Sequence, residues 1–223
     1  MRIIAGRFKG VPLTTPRSGT RPTTDRTKEA IFSRLDARQR VDGARVLDLY
    51  AGTGALGFEA LSRGAQSCVF VEYSAPAAKL IAQTATALKA QRAWEPSMSV
   101  HVVKAKAERY VEKMAGHHED GLFDLVLIDP PYAVTTDDCN ALLERLVSGE
   151  LVHTPQAGHD EDRQDEASHD GPEQYGPLPL IMLERSTRSK APTAPTGWTL
   201  ADRRDYGETA VFYFSPDCSP AQA

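Results

Sequence analysis

Leu47-Asp48-Leu49-Tyr50-Ala51-Gly52-Thr53-Gly54-Ala55-Leu56-Gly57 decides how the rest of this chain is read. Residues 45–50 are apolar apart from Arg45 and Asp48, as a strand buried on both faces requires. From Gly54 to Arg63, Leu56, Ala60 and Leu61 recur at helical spacing. Glycines 52, 54 and 57 lie between the two patterns in the order G-x-G-x-x-G. Glycine there lets the backbone turn sharply into the helix and approach a ligand closely.

The same alternation continues outward. Strands are expected at 67–72, 99–103, 123–128 and 180–184, and a closing pair at 198–201 and 210–214 around Tyr206-Gly207. Between them Ser74 caps a helix to about Gln91, residues 105–114 form a short helix, and Thr136 caps another through Val147. Apolar strands alternating with helices imply a parallel sheet covered on both faces, with right-handed crossovers. The expected fold is therefore α/β: a doubly wound, mostly parallel seven-stranded sheet with a final antiparallel hairpin. Ligands of such sheets bind beyond the carboxyl ends of the strands, near the reversal of strand order.

Two segments stand outside the alternation. Residues 1–40 read as a small basic extension, a β-hairpin followed by a helix at 25–40 with Ile31, Phe32 and Leu35 inward and Arg26, Arg34 and Arg38 outward. Residues 153–178 read as a disordered acidic surface insertion. The expected organisation is thus 1–40 as extension, 41–216 as the α/β domain interrupted at 153–178, and 217–223 as tail.

The chain has 223 residues, 41% hydrophobic and 25% charged, which excludes collagen-like, wholly disordered and disulfide-scaffold classes. Cys68, Cys139 and Cys218 form no CxxC pair, so neither disulfides nor a metal site is expected. No apolar run is long enough for a membrane span, and Arg7 and Lys9 break up any secretory leader, so a cytoplasmic location is expected, and a monomer is expected alongside it. The net charge of −4 argues against nucleic acid until it is divided. Residues 1–40 hold ten basic and three acidic side chains, and residues 159–173 hold seven acids and one arginine. The extension is strongly cationic, and the insertion hides it in the sum.

Glu72 ends the second strand 20 residues after Gly52, where a carboxylate can accept from both hydroxyls of a ribose. An adenosine-containing cofactor is expected, and the glycine pattern alone fits both a dinucleotide and S-adenosylmethionine. Asp48 favours the latter. Its carboxylate repels a pyrophosphate and suits a sulfonium carrying an α-amino group.

The fourth strand ends in Asp129-Pro130-Pro131-Tyr132. Two prolines stiffen this loop and remove two N–H donors. The Asp129 carboxylate and the Pro130 carbonyl offer two acceptors on one rigid edge, matched to the two hydrogens of an exocyclic amine. Tyr132 supplies a face on which a flipped base can stack. Two acceptors localise the lone pair of an otherwise poorly nucleophilic aromatic amine, and Asp129 can take the proton that leaves.

On these motifs the chain resembles the class I, Rossmann-like S-adenosylmethionine-dependent methyltransferases. More closely it is similar to the bacterial RsmD-type enzymes that methylate guanine N2 in 16S rRNA. Residues 2–10, 21–32, 47–64 and 129–132 carry the likeness, and 153–178 depart from it. The resemblance implies cofactor contacts at Asp48, Tyr50, Gly52, Gly54 and Glu72, and at Lys106 and Ala107 for adenine. It implies that Asp129, Pro130 and Tyr132 hold the guanine, and that the partner is 16S rRNA in an assembled or partly assembled small subunit. Arg7, Lys9, Arg17, Arg21, Arg26 and Lys28 are then expected on rRNA phosphates. Three rivals share parts of the pattern: an adenine-N6 nucleic-acid methyltransferase, a NAD-dependent oxidoreductase and a non-catalytic RNA-binding module.

Overall fold

The computed structural model describes residues 1–14, 24–116, 123–152 and 178–217. Arg17, Arg21, nearly all of the acidic insertion and nearly all of the tail lie outside the described residues.

After helix α1 (Asp25–Ala37) the chain alternates β1 (Arg45–Leu49), α2 (Ala55–Ser62), β2 (Ser67–Glu72), α3 (Ala75–Lys89), β3 (Ser99–Lys104), α4 (Ala107–Met114), β4 (Leu125–Ile128), α5 (Thr136–Ser148) and β5 (Leu180–Ser186). It closes with β6 (Trp198–Tyr206) and β7 (Thr209–Pro216). The sheet has seven strands in the order β3-β2-β1-β4-β5-β7-β6. Strands β1 to β5 pair in parallel, whereas β7 runs antiparallel to both β5 and β6. Strand order reverses between β1 and β4, so the loops after Leu49 and Ile128 open side by side.

The sheet separates two apolar layers. One packs Val46, Phe70 and Leu127 against α1, α2, α3 and the N-terminal hairpin; the other packs Leu47, Val126 and Leu183 against α4 and α5. Gly57 permits the close approach of α2 to the sheet, because a Cβ there would lie 2.4 Å from the Phe70 ring and 2.6 Å from Cys68 Sγ. Ser74 caps α3 by accepting from Ala77 N. The second expected cap is displaced by one residue. Thr135, not Thr136, starts α5, since its hydroxyl accepts from Asp138 N while the Asp138 carboxylate accepts from Thr135 N, a reciprocal box worth about 1 kcal/mol or more. Phe123 stands outside β4 and bridges to Val152.

The N-terminal residues form a hairpin, with an antiparallel bridge from Arg2 to Pro12 and Ile3, Phe8 and Leu13 buried in the same layer as α1 and α2. Two expectations about the charges of α1 are corrected. Lys28 does not face solvent: it is fully buried, with Nζ 3.3 Å from Glu59 Oε2 and 2.6 Å from the Arg2 carbonyl it donates to. Arg34 is mostly covered and pairs with Asp202 on β6. Helical periodicity sets Arg34 outward and the resemblance sets Lys28 on an rRNA phosphate, but β6 covers Arg34, and the hairpin and α2 enclose Lys28. Among the described residues no helix is long and apolar enough to cross a membrane.

Candidate active site

A cleft of about 1550 Å³ opens at the carboxyl ends of the parallel strands. It is large enough for a nucleoside cofactor and a target base together. Asp48, Tyr50, Gly52, Glu72, Lys106 and Ala107 line one part of it, and Asp129, Pro130 and Tyr132 another. Gly54 is expected at the cofactor but stands behind the loop. It is buried with φ +75°, where a Cβ would meet the Phe58 ring at 2.7 Å, so its glycine serves the turn into α2.

Glu72 is held from two sides. Gly52 N donates to Oε2 at 2.8 Å and Ser74 N donates to Oε1 at 2.6 Å. Each carboxylate oxygen has two lone pairs, so both retain capacity for a ribose hydroxyl while the backbone fixes their direction. Lys106 caps the N-terminus of α4 and sets its ammonium 5.5 Å from the centroid of the Tyr73 ring. Tyr73 is 67% exposed beside Glu72, a flat apolar surface next to that carboxylate in the cleft. The strand pattern gave no reason to single out Tyr73. It follows Glu72 directly, and that adjacency is the available signal.

Tyr50 holds φ +58°, a conformation costly for a side chain with a Cβ. Its hydroxyl donates to Glu108 Oε1 at 2.5 Å, which ties the loop after β1 to α4. Asp48 accepts from Gly57 N at 2.9 Å. Its carboxyl is pushed up to about 8, first by burial and then by the nearby Asp129 and Glu72 carboxylates, with the Gly57 bond opposing. A cation in the cleft relieves that penalty, whereas a pyrophosphate worsens it. These residues therefore fit S-adenosylmethionine: one carboxylate whose two oxygens suit a ribose diol, and a buried acid that ionises more easily beside positive charge.

Tyr132 is 77% exposed at the cleft and Pro130 is buried. Of the expected phosphate contacts, Arg26 lines the cleft from α1 and Lys9 is exposed on the hairpin. Arg7 is paired with Glu95 at 2.6 Å. Among the described residues no cluster of three or more His, Cys, Asp or Glu side chains could hold a metal ion.

A family described as "Conserved hypothetical protein 95" matches residues 1–169. Ribosomal RNA small subunit methyltransferase D of Escherichia coli (strain K12) is 32% identical over 216 residues, 94% of this chain and 87% of that protein. The chain belongs to this family. It is an S-adenosylmethionine-dependent methyltransferase. YlbH of Bacillus subtilis (strain 168), whose name marks a suspected rRNA methyltransferase, is 39% identical over 133 residues, 59% of this chain and 67% of that protein. The solved yhhF structure from Escherichia coli covers 97% of this chain and 98% of its own at TM-score 0.73 and 24% identity, a likeness that shows the fold.

Proposed function

We propose that this methyltransferase transfers the methyl group to the exocyclic N2 of a guanine in 16S rRNA, within the small ribosomal subunit or a late assembly intermediate. The observation that carries this reading is the single cleft that joins the Glu72 and Asp48 carboxyls to the Asp129–Tyr132 loop. The name of the Escherichia coli relative supports the rRNA substrate.

When bound, S-adenosylmethionine supplies a methyl group on a sulfonium, a carbon already activated for displacement. Glu72 orients the ribose, and Lys106 and Ala107 border the adenine. The Asp129 carboxylate and the Pro130 carbonyl accept the two amine hydrogens of the guanine and localise its lone pair. Tyr132 stacks on the flipped base, and Asp129 takes the proton released as the nitrogen is alkylated. Residues 1–40 act as the docking extension, with Arg26 carrying the positive charge to the edge of the cleft.

The test is methyl transfer from labelled S-adenosylmethionine to small subunits that lack the modification, followed by nucleoside digestion. N2-methylguanosine at one 16S rRNA position is the expected product. N6-methyladenosine would assign the enzyme to the rival class, and binding without transfer would leave only an RNA-binding module.

A further inference from the structure

We infer that Glu184, at the end of β5, is the residue that selects guanine, by accepting the N1 hydrogen of the base whose N2 amine Asp129 and Pro130 hold. The inference rests on the guanine-N2 reading above and deepens it.

Strand register places Glu184 there. Asp48 on β1 pairs with Leu127 on β4, and Leu127 with Met182 on β5. Side chains alternate along a strand, so Glu184, two residues further along β5, projects from the same face as Asp48; Asp129 directly follows Ile128, the last residue of β4, and lines the same cleft. Leu127, Met182 and Val211, the β7 partner of Glu184, all pack in the layer that holds α1 and the hairpin, which confirms the face. The register ends at Ile128↔Leu183 and neighbouring strands lie about 4.8 Å apart, so Asp129 and Glu184, one residue on, occupy adjacent chain positions at the cleft. Glu184 is only 8% exposed, yet it lines that cleft.

The chemistry separates guanine from adenine. Guanine presents N1–H and N2–H2 along one edge, three donors in a row. Adenine presents N6–H2 beside N1, which is an acceptor. A carboxylate next to the amine-holding loop gains a hydrogen bond from guanine and faces a lone pair on adenine. A site built to bond a group rejects the analogue that lacks it, because the hydrogen bond is lost and the carboxylate is set against the lone pair of adenine N1. The Asp-Pro-Pro-Tyr loop by itself asks only for an exocyclic amine; Glu184 supplies the reason for guanine.

The experiment compares wild type, Glu184→Gln and Glu184→Ala on unmodified small subunits carrying either the native target guanine or adenine in its place. S-adenosylhomocysteine affinity and thermal midpoint are measured alongside. Expected is a fall of about 10- to 100-fold in kcat/KM on guanine for both variants, with cofactor affinity retained. The guanine-to-adenine ratio should narrow most in Glu184→Gln, whose amide can donate to adenine N1. A purely structural Glu184 would lower stability and move both substrates alike. If Glu184→Ala does not fold, the ratio in Glu184→Gln decides. Unchanged kcat/KM and ratio in a variant of an active wild-type enzyme would overturn the role of Glu184. Absence of N2-methylguanosine from the wild-type reaction would overturn the guanine reading itself.

Discussion

Lys28 and Glu59 form an ion pair entirely inside the protein, Nζ to Oε2 at 3.3 Å, with both side chains fully covered. Glu59 also accepts from Ile4 N at 2.8 Å, Ala5 N at 3.0 Å and Arg63 Nε at 2.9 Å. One carboxylate on α2 thus gathers the N-terminal hairpin, α1 and its own helix end. This places the hairpin and α1 against the cleft, where Met1, Thr24 and Arg26 form part of the wall.

Removing one partner of a buried pair leaves the other uncompensated. Glu59→Ala is expected to cost about 3–5 kcal/mol, a drop of roughly 10 °C in thermal midpoint for a domain of this size. Lys28→Met should cost less than Glu59→Ala, because Arg63 still faces the carboxylate. The double variant should lose less than the sum of the singles. Calorimetric midpoints for the three proteins check this.

Asp48 predicts a pH dependence. Its folded-state carboxyl titrates at about 8 against 3.8 for the unperturbed group, with burial the main cause. Between these values the folded state holds a proton that the unfolded state has lost. This group's contribution is therefore full at low pH and falls as pH rises toward 8. In Asp48→Asn the cofactor-free protein should lose that slope, so its midpoint gains on wild type from pH 5 to pH 8. S-adenosylhomocysteine affinity should move the other way. In wild type it rises over the same range as the carboxylate forms opposite the ligand ammonium; in Asp48→Asn it stays flat. Thermal shift and calorimetric titration at several pH values separate the two effects.

Cofactor binding and RNA docking should be separable. Glu72→Ala is expected to weaken S-adenosylhomocysteine binding by about 10-fold or more, since a charged hydrogen-bonding group contributes roughly 1.5–3 kcal/mol, and to leave subunit affinity near wild type. Arg26→Ala should do the reverse and reduce the slope of log affinity against log salt by about one phosphate contact. Loss of the same step in both variants would contradict the division.

Asp129→Ala should abolish methyl transfer by about 100-fold or more while cofactor affinity stays within a few-fold. Asp129→Asn keeps an acceptor oxygen for the amine but cannot take the proton, so it should fall between the two. Single-turnover transfer rates with saturating cofactor measure this directly.

Much of the fold was legible because parallel α/β units announce themselves locally. Apolar runs, glycine turns and caps at Ser74 and near Thr136 recur at intervals that one strand and one helix impose. The loop chemistry was legible for the same reason: Gly52 lies in the loop after β1 and Glu72 ends the neighbouring parallel β2, and the Gly52 N to Glu72 hydrogen bond joins them. Lys28, expected on an rRNA phosphate, is buried instead, because a basic segment in the chain does not show which of its charges a distant element covers. Its partners lie 26 and 31 positions away in sequence.

The sequence by itself determined the strand–glycine–helix alternation, the carboxylates at strand ends and the stiff proline loop, because each is set by backbone rules acting over a few residues. The tertiary structure alone decided which of these meet. Register across β1, β4 and β5 puts Asp48 and Glu184 on one face, with Asp129 lining the same cleft, and the Glu59 hub draws Arg26 to the rim. Such contacts depend on how distant segments pack, and no local period in the chain records it.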